Sequence, residues 1–136
     1  MASYNKINKF VEAVAEKVHN LGSDQLVIAL TNTAHTSTWG QLSDLTEIAY
    51  TNLSSRNITT TTSAQTAGTY KLVLADLTLT SSGGATGPFQ YVYIYNDTAT
   101  NDELIGYYDY GSAVTLQDGD TFTIDFDASN GVLTIA

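Results

Sequence analysis

A chain of 136 residues, 43% of them hydrophobic, is sized for a single folded domain over residues 1–136 that buries roughly two-thirds of its unfolded surface. It has no cysteine, which excludes disulfides, thiolate metal sites and cysteine nucleophiles, and no apolar run approaches the ~20 residues of a membrane span. The net charge of −9 is uneven: residues 1–21 carry three lysines against two glutamates, whereas residues 22–136 carry two bases against twelve acids and so repel nucleic acid.

The opening MASYNKINKF lacks the basic flank and apolar run of a signal peptide, so the expectation is synthesis in the cytoplasm. Residues 1–22 read as an N-terminal helix, with the pattern itself over 3–21. Ile7, Val11, Val14, Val18 and Leu21 recur at three- and four-residue intervals, joined by Tyr4 and Phe10, and Lys6, Lys9, Glu12, Glu16 and Lys17 fill the other side. Ser3 is a candidate N-cap and Gly22 a stop signal. Such a helix either lays its apolar stripe on a sheet or docks as an arm on a neighbouring subunit.

The rest, residues 24–136, reads as strands. Residues 24–31 place Leu26, Ile28 and Leu30 on one side. Residues 32–57 lose all periodicity, and a connection this long is usually a functional surface or contact arm. Trp39, the only tryptophan, lies in it either as a contact anchor or as cover for a core edge. Residues 56–62 form a polar strand or edge, and 65–68 turn the chain. In 70–80 the apolar phase switches between Leu72/Leu74 and Leu77/Leu79, which predicts a bulge or break near Ala75-Asp76. SSGGATGP, 81–88, reads as a flexible loop tip.

Residues 87–110, GPFQYVYIYNDTATNDELIGYYDY, form a central hairpin holding six of the nine tyrosines. Phe89, Tyr91, Tyr93 and Tyr95 share one parity and Val92 and Ile94 the other, so both faces are covered. Asp118-Gly119 and Asn130-Gly131 are turn signals around a strand with Phe122, Ile124 and Phe126 inward. The expected fold is therefore mainly β, an antiparallel β-sandwich, jelly-roll-like, of about seven to nine strands with one N-terminal amphipathic α-helix and a terminal meander.

No chemistry is announced. The two histidines, His19 and His35, accompany no Gly-x-Ser-x-Gly elbow. Asp125 to Gly131 lacks the twelfth-position acid of a calcium loop and reads as a turn, and the glycine-rich stretch has no lysine for phosphate. No cofactor, metal site or catalytic residue is expected. What remains is the tyrosine band Tyr91, Tyr93, Tyr95, Tyr107, Tyr108 and Tyr110, partly core and partly candidate protein interface or carbohydrate platform.

In order, YNKINKFVEAVAEKVHNLGSDQLVIALTN, DLTEIA, GTYKLVLADLTLTSSGG, GPFQYVYIYND and LIGYYDYGSAVTLQDGDTFTIDFDASNGVLTIA resemble a family of small virion proteins of tailed bacteriophages over nearly the whole chain. The resemblance implies a capsid decoration, or cement, protein that binds the major capsid protein on the virion exterior in many copies, as a dimer or trimer, with neither nucleic acid nor membrane as partner. Candidate contacts are then Tyr4, Lys6, Ile7, Lys9, Phe10 and Trp39, beside the tyrosine band. The alternatives are a tail or receptor-binding accessory protein contacting host glycan, and a cellular carbohydrate-binding module.

Overall fold

The structure, a computed structural model, describes residues 2–136. The described chain is mainly β: β1 (Tyr4–Lys6), α1 (Phe10–Ala15), β2 (Leu26–Thr31), β3 (Thr60–Thr66), β4 (Thr69–Leu74), β5 (Leu77–Thr80), β6 (Thr86–Asn96), β7 (Leu104–Leu116), β8 (Thr121–Ile124) and β9 (Leu133–Ile135). All pairings are antiparallel, in three sheets ordered β1-β7-β6-β2, β3-β4-β9 and β5-β8.

The hairpin β6-β7 is the middle of the largest sheet, as its doubly apolar pattern requires. β2 pairs with β6 from Leu26↔Asn96 to Thr31↔Tyr91, and every residue of β2 is buried. One continuous core runs through all three sheets, including Leu72 and Leu74 of β4, Leu79 of β5, Val92 and Ile94 of β6, and Ile124 of β8. The phase switch of 70–80 is a real break: β4 ends at Leu74, β5 starts at Leu77, and Asp76 Oδ1 accepts the Phe126 N–H at 3.0 Å in the gap. The turn after β3 carries Ala67 and Gly68 at φ +51° and +85°, the left-handed pair of a tight hairpin.

The N-terminal helix is far shorter than its periodicity implies. Residues 4–6 form a strand on the open edge of β7, with Tyr4↔Tyr108 and Lys6↔Gly106 in register, and Ile7 N–H continues to the Ile105 carbonyl at 3.1 Å. α1 has no side-chain N-cap, and Lys17 at φ +69° follows its last turn, so neither Ser3 nor Gly22 bounds it. A helix over 3–21 would hold Asn5, Asn8, Val11, Val14, Val18 and His19, all weak helix formers, and isolated helices of that length are marginal. An unpaired strand edge offering backbone partners outweighs that weak preference.

Three further expectations change. The loop tip is shorter, because β6 starts at Thr86, and it is anchored: Ser81 and Thr86 are buried and their hydroxyls lie 2.8 Å apart. The polar strand lies at Thr60–Thr66, with Asn57 making only an isolated bridge to Val27. The terminal meander does not form, since β8 pairs with β5 and β9 with β4. Asp118-Gly119 turns the chain out of one sheet toward another, with Gly119 N–H on the Ser81 carbonyl at 2.7 Å.

Candidate interaction surface

Alternation splits the tyrosine band between the two faces of the main sheet. On one face Tyr93 and Tyr107 are cross-strand partners with rings stacked at 5.2 Å, and the long connection folds down on them. His35 stacks on Tyr107 at 4.2 Å and its Nδ1 meets the Tyr93 hydroxyl at 2.9 Å. Trp39 closes the group, 5.7 Å edge-on to His35 and 6.1 Å from Tyr93. The second face holds Tyr108, Tyr110, Phe122 and Phe126 in a chain of ring contacts. Phe89 does not share the face of Tyr91: the register shifts between them, and its ring is 5.2 Å edge-on to Phe122.

Half of the six-tyrosine band is therefore core. Tyr93, Tyr95 and Tyr108 are at most 5% exposed, and Ile7 and Phe10 are at 0% and 4%, so these five side chains are not available to a partner. Burial is why the hydroxyls of Tyr93, Tyr95 and Tyr108 hold their protons to higher pH than usual. Tyr91, Tyr107, Tyr110 and Trp39 are half-buried, and of the expected contacts only Lys6 and Lys9 are exposed. Tyr4 is half-buried, its ring laid over Gly106 and 5.9 Å from Tyr108.

The connection 32–57 does not project as an arm. It runs along the outer edge of β2 and satisfies that edge with both backbone and side chains. Ile48 N–H reaches the Leu30 carbonyl at 3.0 Å, and Leu30 N–H donates to the Tyr50 hydroxyl at 2.9 Å, which donates on to Glu47 Oε1 at 2.7 Å. Arg56 Nη1 donates to the Ile28 carbonyl at 2.6 Å, with its guanidinium 3.8 Å over the Tyr50 ring.

What stays open lies elsewhere. Val11 and Ile135, exposed at 53% and 40%, are the large apolar side chains left in solvent among the described residues, and both line one groove of about 560 Å³. Its walls are α1 (Phe10, Val11, Val14), the start of β1 (Tyr4, Lys6) and β9. β1 and β9 are each the outermost strand of their sheet, so the groove is bounded by two strand edges with no further strand paired to them. Lys6 is the sole charge in its lining. Sequence reasoning placed Tyr4, Lys6 and Phe10 here, but missed Val132, Leu133 and Ile135, which carry no signal of their own because the groove exists only once β9 has joined β4.

Asp127 staples its own turn, Oδ1 accepting the Asn130 N–H at 3.1 Å and Oδ2 the Asn130 side-chain amide at 2.9 Å; these bonds hold its carboxyl below the usual range. Among the described residues no group of three or more histidine or acidic side chains is arranged around a metal position, and no helix is long and apolar enough to cross a membrane. Comparison with protein-family models, curated proteins and solved structures returns no match to this chain.

Proposed function

We propose that this protein is an adhesive structural module: a capsid decoration protein that binds the major capsid protein on the outside of a tailed-phage shell in many copies and braces it. The three sheets are read as the layers of one jelly-roll-like sandwich. The observation that carries the docking reading is the coincidence, in one groove, of the two exposed large apolar side chains with two open strand edges. A groove of this size supplies a modest contact, and repetition around a shell, with subunits joined as dimers or trimers, multiplies modest contacts into firm attachment. The acidic body keeps crowded copies from clumping on the virion exterior after synthesis in the host cytoplasm.

The glycan-contact alternative has less support. A sugar needs a free aromatic face, and the ring faces of Tyr93, Tyr107 and His35 are spent on one another.

Point substitutions test the docking, because Val11 and Ile135 are exposed and neither belongs to the buried core. The double variant Val11→Asp, Ile135→Asp is expected to keep the wild-type melting temperature and to fall at least about tenfold in copies retained on purified shells by quantitative gel after sedimentation. Retention of a folded double variant at the wild-type copy number overturns the groove as docking site, and wild-type retention of only a dozen or so copies per particle overturns decoration in favour of a tail or neck position.

A further inference from the structure

Asn96 is fully buried at the end of β6, and its amide orientation is dictated by the turn it starts. Its Oδ1 accepts the Thr98 and Ala99 N–H groups at 3.0 and 3.1 Å, which leaves the Nδ2 hydrogens for His19 Nδ1 at 2.9 Å and Asp24 Oδ2 at 2.6 Å. His19 Nδ1 is therefore an acceptor, and the neutral ring carries its proton on Nε2. That nitrogen is buried and finds no acceptor among the described residues. A buried donor without a partner is a local weakness.

We propose that His19 is an acid-sensitive latch: protonation of its ring breaks the His19–Asn96–Asp24 chain and frees residues 17–24 from the turn after β6. The incoming proton has only Nδ1 to occupy, and there it meets the Asn96 Nδ2 hydrogen, donor against donor. Asn96 cannot turn over to offer its oxygen without stripping the Thr98 and Ala99 amides of their acceptor.

The charged ring must swing out, and an open cleft of about 900 Å³ lies beside it, with His19, Asp24 and Glu103 in its lining. Those two carboxylates face the ring from the 20–25 turn and from the residue before β7, and favour the imidazolium; Lys17 lines the same cleft. Tyr70 of β4 is the other titratable group there, and the Phe10 ring of α1 covers the ring at 5.3 Å. Burial keeps the ring neutral below its ordinary 6.5 against the pull of Glu103 and Asp24, so release belongs on the acid side of 6.5. The latch acts within one chain, so its failure leaves docking at the groove untouched.

Hydrogen exchange of the full chain, corrected for the intrinsic pH effect, reads the latch. Between pH about 7.5 and about 5, the Ser23 and Asp24 amides, both held by the Asn20 carbonyl, are expected to lose about tenfold or more in protection while the Ile94 amide in the hairpin does not, and His19→Gln is expected to abolish the difference. Equal protection at both pH values, or the same loss in a folded H19Q, overturns the proposal. If H19Q does not fold, the imidazole nitrogen shifts of the wild type decide. The latch needs an Nε2–H ring at neutral pH that titrates together with the Asn96 side-chain amide; an Nδ1–H ring, or one still neutral at pH about 5, overturns it.

Discussion

Gly106 sits on β7 where the Tyr4 ring lies flat across it, and a Cβ there would run into the ring carbons and the hydroxyl of Tyr4. Its backbone is ordinary strand, so the requirement is space alone. Gly106→Ala is expected to destabilise the protein by about 1–3 kcal/mol, read as a lower urea midpoint, because Tyr4 must move and Tyr108 packs against it. Adding Tyr4→Ala should cost less in that background than in the wild type, a coupling that a double-mutant cycle measures. Titration is also settled at this scale. Burial lowers the pKa of both His19 and His35 from 6.5, so the unfolded chain takes up protons first as the pH falls. The stability these two neutral rings contribute is therefore fully present above pH 6.5 and declines as acid carries the solution down toward the folded values, which a series of melting temperatures checks. Neither effect shows in the sequence, where Gly106 is one glycine of ten and both histidines look like surface residues.

The connection 32–57, whose one regular piece is a 3-10 helix at Leu42–Asp44, illustrates how a mostly irregular segment still has a definite structural task. An open strand edge invites pairing with other chains, and on β2 that edge is occupied by Ile48, Tyr50 and Arg56. Tyr50→Phe removes the acceptor for the buried Leu30 N–H, and is expected to lower stability by about 1–3 kcal/mol in urea unfolding with little change in the slope of the transition. That this segment is long and irregular was legible; that it is an edge cover was not, because a side-chain hydroxyl bonding a backbone amide twenty positions earlier leaves no periodic trace. The break at Ala75-Asp76 was legible for the opposite reason: a two-residue repeat records any change of face directly. The long helix was the misleading case, since spacing of three and four fits a short helix followed by an irregular apolar segment just as well.

At the scale of the whole molecule, the first and the last strand are both tied into sheets. β1 is held by β7, about a hundred residues away, and β9 by β4, so neither terminal segment is an appendage. Removing residues 1–9 would strip the edge of the main sheet and the fully buried Ile7, and the expected result is loss of cooperative unfolding, with near-ultraviolet circular dichroism collapsing, in place of a folded domain lacking an arm. Alternation along a strand depends only on covalent geometry, so the mainly β character, the doubly covered hairpin and the inward Phe122, Ile124 and Phe126 were settled by residue order. Which strands become neighbours depends on edges supplied by distant parts of the chain. Only the folded molecule could therefore turn residues 4–6 from helix to strand, carry β8 and β9 into other sheets, and bring Val11 and Ile135 to the one groove on which the proposed attachment rests.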